Sequence, residues 1–189
     1  MKAYSELTAA LREMLDRMEV SLRASDYSGP AVMMYVAGGI AVNYHCGTRY
    51  TEDVDASFSR RFVLPRELTV NYRRRDGTEA FVYFDHNYNT SFALLQEGFE
   101  ERSVPWAGID DAGRLLYLRV LTPLDLAVSK LARFSEQDRA YIFALAAEGL
   151  ISAGELRSHA LAAMGNYIGD KRPLLTSIEI ICRTITAAP

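Results

Sequence analysis

The chain has 189 residues, 49% of them hydrophobic and 24% charged, and a net charge of −3. That length suits one domain, or a domain with a helical appendage, and is enough to bury a substantial core. The composition excludes disordered and collagen-like chains. No apolar run approaches the roughly 20 residues that span a bilayer, and the charge balance excludes a strong overall attraction to nucleic acid.

Residues 4–23 predict an amphipathic helix, because Leu7, Leu11, Met14, Leu15, Met18 and Leu22 recur at helical spacing with charges between them. Asp26-Tyr27-Ser28-Gly29-Pro30 is a turn. Val32 to Val36 predicts a short buried strand. Gly39 to Cys46 predicts a short helix that opens at the glycines and ends at Gly47. Asp53 to Phe58 predicts a second strand. Leu68 to Tyr72 and Glu79 to Phe84 predict a hairpin around Asp76-Gly77. The chain is expected to leave the sheet at Asn87 to Asn89. Residues 91–111 carry no clear pattern, and Leu115 to Val120 predicts a fifth apolar strand.

From 122 onward the pattern is helical. Thr122 caps a helix with Pro123 in its first position. Ser135-Glu136-Gln137-Asp138 and Ser152-Ala153-Gly154-Glu155 read as capping boxes. Gly149 and Gly165 sit where C-caps belong. Pro173 opens a last helix with Leu174, Ile178, Ile181 and Ile185 on one face. The expected architecture is α+β: a small mixed β-sheet with helices over residues 1–120, then a C-terminal helical bundle over 121–189 packed on it.

The chemistry concentrates in one stretch. Val36-Ala37-Gly38-Gly39-Ile40-Ala41 is followed by Arg49-Tyr50-Thr51-Glu52-Asp53-Val54-Asp55. Alternate strand residues point the same way, so a strand over 53–58 projects Asp53 and Asp55 from one face. Two such carboxylates bind a divalent ion well only once substrate phosphates complete the shell. The glycine pair after a short strand lets backbone approach a phosphate closely. Arg49 suits either a phosphate or Asp53, and Thr51 suits either contact with the nucleotide or a hydrogen bond within the turn. Together they describe a site for Mg²⁺- or Mn²⁺-assisted chemistry on a nucleoside triphosphate.

The same residues resemble the DNA polymerase β-like nucleotidyltransferase superfamily, and within it the minimal members related to AbiEii-type abortive-infection toxins. The resemblance covers residues 30–145. It implies a polymerase β-like sheet, an Asp53–Asp55 pair holding two Mg²⁺ ions, and a glycine-opened helix meeting the triphosphate at Gly38 and Gly39. It also implies a third metal-binding carboxylate on a neighbouring strand, for which Asp85 is the candidate. Leu121-Thr122-Pro123-Leu124-Asp125-Leu126-Ala127-Val128-Ser129-Lys130-Leu131 resembles the family's Pro-Glu-Asp-Leu…Ser-Lys-Leu helix, which implies that Lys130 faces the nucleotide. Asp138 fits the first position of a later acidic pair, but Tyr141 takes the second. The implied activity is transfer of a nucleoside monophosphate to a tRNA 3′ end or a protein hydroxyl, as the toxin of a toxin–antitoxin or phage-defence pair with a cognate antitoxin. The alternative is a catalytically weak nucleotidyltransferase-like module that binds a partner protein or RNA.

Other features read more plainly. Cys46 and Cys182 have no metal spacing and suit small apolar positions. With an N-terminus that lacks a secretory apolar core, they predict a cytoplasmic protein with no membrane partner. His45, His86 and His159 have no partner spacing and read as structural or exposed. Arg60-Arg61 and Arg73-Arg74-Arg75 suit either a charged sheet edge or contact with RNA or triphosphate. Tyr35, Tyr44, Tyr50, Tyr83 and Tyr88 read as core or rim packing, with stacking on a nucleobase as the other reading.

Overall fold

The computed structural model describes residues 5–47, 51–90, 93–109 and 112–187. Arg49 and Tyr50 therefore lie outside the described residues. The fold is α+β, and the chain forms two compact units. Met1–Tyr88 with Ser103–Val120 make the first, and Asn89–Arg102 with Leu121–Pro189 make the second. No helix among the described residues is long and apolar enough to cross a membrane.

The first unit contains α1 (Ser5–Ala24), β1 (Val32–Val36), α2 (Gly38–Cys46), β2 (Asp53–Val54), β3 (Ala56–Phe58), β4 (Thr69–Arg73), β5 (Glu79–Phe84), β6 (Val104–Pro105) and β7 (Leu116–Val120). One sheet runs β3-β1-β7-β6 and the other β2-β5-β4. β1 pairs antiparallel with β3 and parallel with β7. Its sequence, Val-Met-Met-Tyr-Val, is apolar throughout because it lies between two neighbours with almost every side chain buried. The helical stripe foreseen for α1 is its buried face: Leu7, Leu11, Met14, Leu15, Met18 and Leu22 are all at most 2% exposed. α1 packs against β4 and β7. Burying each such side chain contributes on the order of 2 kcal/mol, so this one face anchors the sheet from beneath.

The strand expected over Asp53–Phe58 is not one strand. It breaks at Asp55 into β2, which joins β5 in parallel, and β3, which joins β1 in antiparallel. The cause is a change of partner. The Asp55 carbonyl accepts from the Ala37 amide at 2.8 Å, which ties the chain to the end of β1 and hands it from one sheet to the other. The hairpin is as foreseen. β4 and β5 pair antiparallel, Gly77 takes φ 84°, and the Asp76 carboxylate accepts from the Thr78 amide at 2.9 Å. Within 91–111 the structure adds β6, an exposed two-residue strand containing Pro105 that pairs with β7. So short a strand leaves no periodic trace in the sequence.

The second unit contains α3 (Phe99–Arg102), α4 (Pro123–Ser129), α5 (Glu136–Ala147), α6 (Ala153–Ala163), a 3-10 turn (Met164–Asn166) and α7 (Lys171–Ala187). Its start signals behave as read. Thr122 accepts from the Asp125 amide, and Ser135–Asp138 and Ser152–Glu155 form complete capping boxes. α7 begins at Lys171, two residues before Pro173, and buries Leu174, Ile178 and Ile181.

Candidate active site

The site is built where β1 ends. Gly38 has φ 61°, a left-handed conformation that costs other L-residues about 1–2 kcal/mol. A side chain there would also collide with Asp55, since a Cβ would lie 2.7 Å from the Asp55 Cγ. The glycine is therefore required twice, by its backbone angle and by the carboxylate resting against it. A left-handed residue opening a helix gathers successive N–H groups on one side, a form that suits anions. The first α2 amide bonded back to the chain before the helix is that of Ala41, to Ala37. Gly38 and Gly39 precede it, among the amides that a helix start leaves without intrahelical partners. Asp55 thus stands at a helix N-terminus, where negative charge is favoured.

The other acids follow from register. In the parallel ladder Asp53 lies opposite Tyr83 and Val54 opposite Phe84. The Asp85 amide donates to the Val54 carbonyl at 3.1 Å, so the register continues and sets Asp55 beside Asp85. Val54, Val82 and Phe84 are buried, whereas Asp53, Asp55 and Asp85 are half-buried and Phe81 and Tyr83 exposed. Residues two apart share a face, so the three carboxylates and Tyr83 occupy the outer face together. The Tyr83 phenol reports the same neighbourhood: desolvation, then the charges of Asp53, Asp85, Asp55 and Glu52, raise its pKa. Burial and the Asp55 charge push the Tyr88 phenol up as well.

Each acid also has a local partner. The Thr51 hydroxyl donates to Asp53. The Asn87 amide donates to Asp85 Oδ1 at 2.8 Å. Among the described residues no group of three or more His, Cys, Asp or Glu side chains forms a ready-made metal cage. Mg²⁺ does not require one, because it keeps waters and takes one or two carboxylates with substrate phosphates. The all-oxygen donors and the cradle at Gly38 fit that mode.

Lys130 belongs to the second unit. Its Nζ is 4.0 Å from Asp138 Oδ1 and 5.6 Å from the Tyr141 ring centroid, and only 12% of its side chain is exposed. Its charge is therefore met within the second unit, by Asp138 and the Tyr141 ring. Asp138 is the capping-box residue of α5, fully buried and held by Arg133 through two 2.7 Å bonds. The sequence reading missed a second buried acid. Asp125 accepts from Arg102 Nε at 3.0 Å and Nη2 at 2.6 Å and from Thr122 at 2.7 Å, and His159 Nε2 lies 2.7 Å away. Burial alone would raise the Asp125 pKa, but the bonds from Arg102, His159 and Thr122 hold it below the ordinary value. His159 has a partner after all. A buried-face aspartate after Pro123 was the signal available, but nothing in the spacing pointed to residues 102 and 159.

A glycine turn and carboxylates from neighbouring stretches of chain thus meet at the end of β1 and β2. The chain belongs to the family described as "Nucleotidyltransferase of unknown function (DUF6036)", whose model matches residues 9–172. No curated protein matches the sequence. Among solved structures, an antigenic nucleotidyltransferase-like protein from Paracoccidioides brasiliensis is similar at 15% identity over 94% of each chain, with a TM-score of 0.43.

Proposed function

We propose that the first unit transfers a nucleoside monophosphate from a nucleoside triphosphate to a hydroxyl acceptor. The observation that carries this reading is the shared outer face of Asp53, Asp55 and Asp85 beside the Gly38 turn. Gly38 and Gly39 would present amides to the β and γ phosphates, Asp53 and Asp55 would hold the ions, and Asp85 would complete the shell of the ion that lowers the acceptor pKa. Bound Mg²⁺ (or Mn²⁺) supplies charge stabilisation at the attacking and leaving oxygens and lowers the acceptor pKa. The acceptor oxygen bonds to the α-phosphorus, the bond from that phosphorus to the bridging oxygen breaks, and pyrophosphate leaves with the electron pair. Asp85 receives the hydroxyl proton.

The finer assignments rest on the family resemblance: a tRNA 3′ end or protein hydroxyl as acceptor, a toxin role with a cognate antitoxin, and triphosphate contacts from Arg49 and Lys130. Incubation with each α-labelled triphosphate and total tRNA or lysate tests them, because the labelled product names base and acceptor together. No labelled product with any triphosphate sinks the enzyme reading. The second reading, a catalytically weak binding module, draws on one observation: Asp53 and Asp85 already serve as local hydrogen-bond acceptors. It requires a partner to bind without any label being transferred.

A further inference from the structure

The two sheets of the first unit end on different kinds of edge. β6 closes one of them with two residues, one of which is Pro105, a short proline-bearing edge of the sort that resists pairing. β4 closes the other without that protection. It is five residues long and contains no proline, and Thr69, Val70 and Tyr72 are strong strand formers. The ladder with β5 fixes which way its main chain faces. The Phe84 amide donates to the Leu68 carbonyl and the Arg74 amide to the Thr78 carbonyl, both at 2.9 Å. Leu68, Val70, Tyr72 and Arg74 therefore turn their peptide groups to β5, and Thr69, Asn71 and Arg73 turn theirs outward. Arg17 Nη1 donates to the Thr69 carbonyl at 2.7 Å. Among the described residues nothing bonds to the other outward peptide groups of these three residues.

We infer that β4 pairs with β4 of a second copy, antiparallel and centred on Asn71, and that the protein is a two-fold dimer. A strand added at an edge is held by main-chain bonds, and a two-fold contact uses the same patch on both copies. With Asn71 opposite the partner's Asn71, Thr69 lies opposite the partner's Arg73. Every outward peptide group then meets another, in about six main-chain hydrogen bonds. The Thr69 carbonyl can keep Arg17 and still accept, because it has two lone pairs. Charge selects a second copy as the occupant. The same register sets Glu67 opposite the partner's Arg75, once on each side of the axis, and opposes no like charges. Glu67 is exposed and has no ion-pair partner among the described residues. Arg75 has 70% of its side chain exposed and a long pair of 3.4 Å to Glu6, so it can meet a second carboxylate. The axis through Asn71 stands perpendicular to the joined sheet, so both copies present Asp53, Asp55 and Asp85 on the same side. Five strand spacings from β2 to the partner's β2 put the two acidic faces roughly 24 Å apart.

Sedimentation equilibrium of the full chain is the test. At about 100 µM the parent should sediment at twice its 21.1 kDa. Asn71→Pro should be monomeric with an unchanged melting temperature, because the Asn71 amide faces away from β5 and proline is tolerated at such an edge position. Asn71→Lys sets like charges together across the axis and should weaken association about tenfold. It alters only an exposed side chain, so it decides the matter if proline disturbs the fold. Glu67→Lys and Arg75→Glu should each weaken self-association about tenfold. An equimolar mixture of those two variants should regain the parent's association, because both contacts across the axis then join opposite charges. A monomeric parent, undiminished association in Asn71→Lys, or a mixture that associates no better than its two components overturns the edge pairing.

Discussion

Two pairs of aspartates, one pair in each unit, are held differently. In the second unit, Asp125 and Asp138 are fully buried, and each is gripped by an arginine through two hydrogen bonds. In the first, Asp53 and Asp85 are half-buried and accept from neutral donors, a threonine hydroxyl and a backbone amide. A carboxylate neutralised by a fixed cation is a structural member, because removing either partner leaves the other charge stranded in low dielectric. A carboxylate met only by dipoles keeps its charge for something that arrives later. Residue type is the same in both places, and the neighbours decide the role.

The comparison breaks most visibly at Asp125. Asp125→Ala should cost about 3 kcal/mol, the low end for a severed buried pair because Arg102 reaches solvent; urea denaturation reads it. The pH dependence has the same origin. Hydrogen bonds hold the folded pKa of Asp125 and Asp138 below the ordinary 3.8 despite burial. Their stabilisation is therefore complete above that value and fades as pH falls through the lower folded value. The parent should thus lose stability steeply only below about pH 4, and Asp138→Asn should flatten that acid limb.

Gly38→Ala comes next. The left-handed backbone and the encounter with Asp55 should together cost about 2 kcal/mol, and the variant should lose its triphosphate-dependent melting shift. Retention of both stability and shift would mean that Asp55 and the turn move freely, and the first unit would lose its rigid site. Lys130→Ala sharpens the contrast. A solvated lysine would cost less than about 0.5 kcal/mol, but one beside buried Asp138 should cost about 1 kcal/mol. Asp53→Asn should have the smallest effect on folding, within about 0.5 kcal/mol. It should nonetheless abolish the Mg²⁺-dependent part of the triphosphate melting shift. An Asp53→Asn protein that melts as early as Asp125→Ala would erase the distinction between the two kinds of aspartate.

Much of this layout was legible in the sequence for reasons that can be named. Caps and glycines act locally, so Thr122, Ser135, Ser152 and Gly47 marked helix ends correctly. The α1 stripe and the Asp76-Gly77 turn are short-range patterns of the same kind. What escaped depends on partners distant in the chain. The break at Asp55 reflects two different neighbours, β5 and β1, and alternation along 53–58 cannot reveal a change of sheet. His159 finds Asp125 across 34 residues, and Arg102 finds it across 23. The pairing of Lys130 with Asp138 escaped as well, because the burial of Asp138 is invisible in the helical pattern. Arg49 lies outside the described residues, so its two readings stand as they were.

The division of the second unit into two stretches of chain has a practical side. Residues 89–102 are made before β7, and 121–189 after it. A fragment starting at 121, the cut that the helical pattern invites, would contain Asp125, Thr122 and His159 but not Arg102. Its central acid would then lose the guanidinium that contributes two of its hydrogen bonds and would keep only Thr122 and His159. On the ribosome the same order holds: α3 is made before α4, so the Arg102 guanidinium has only the local Gln96 and Glu97 carbonyls until Asp125 emerges.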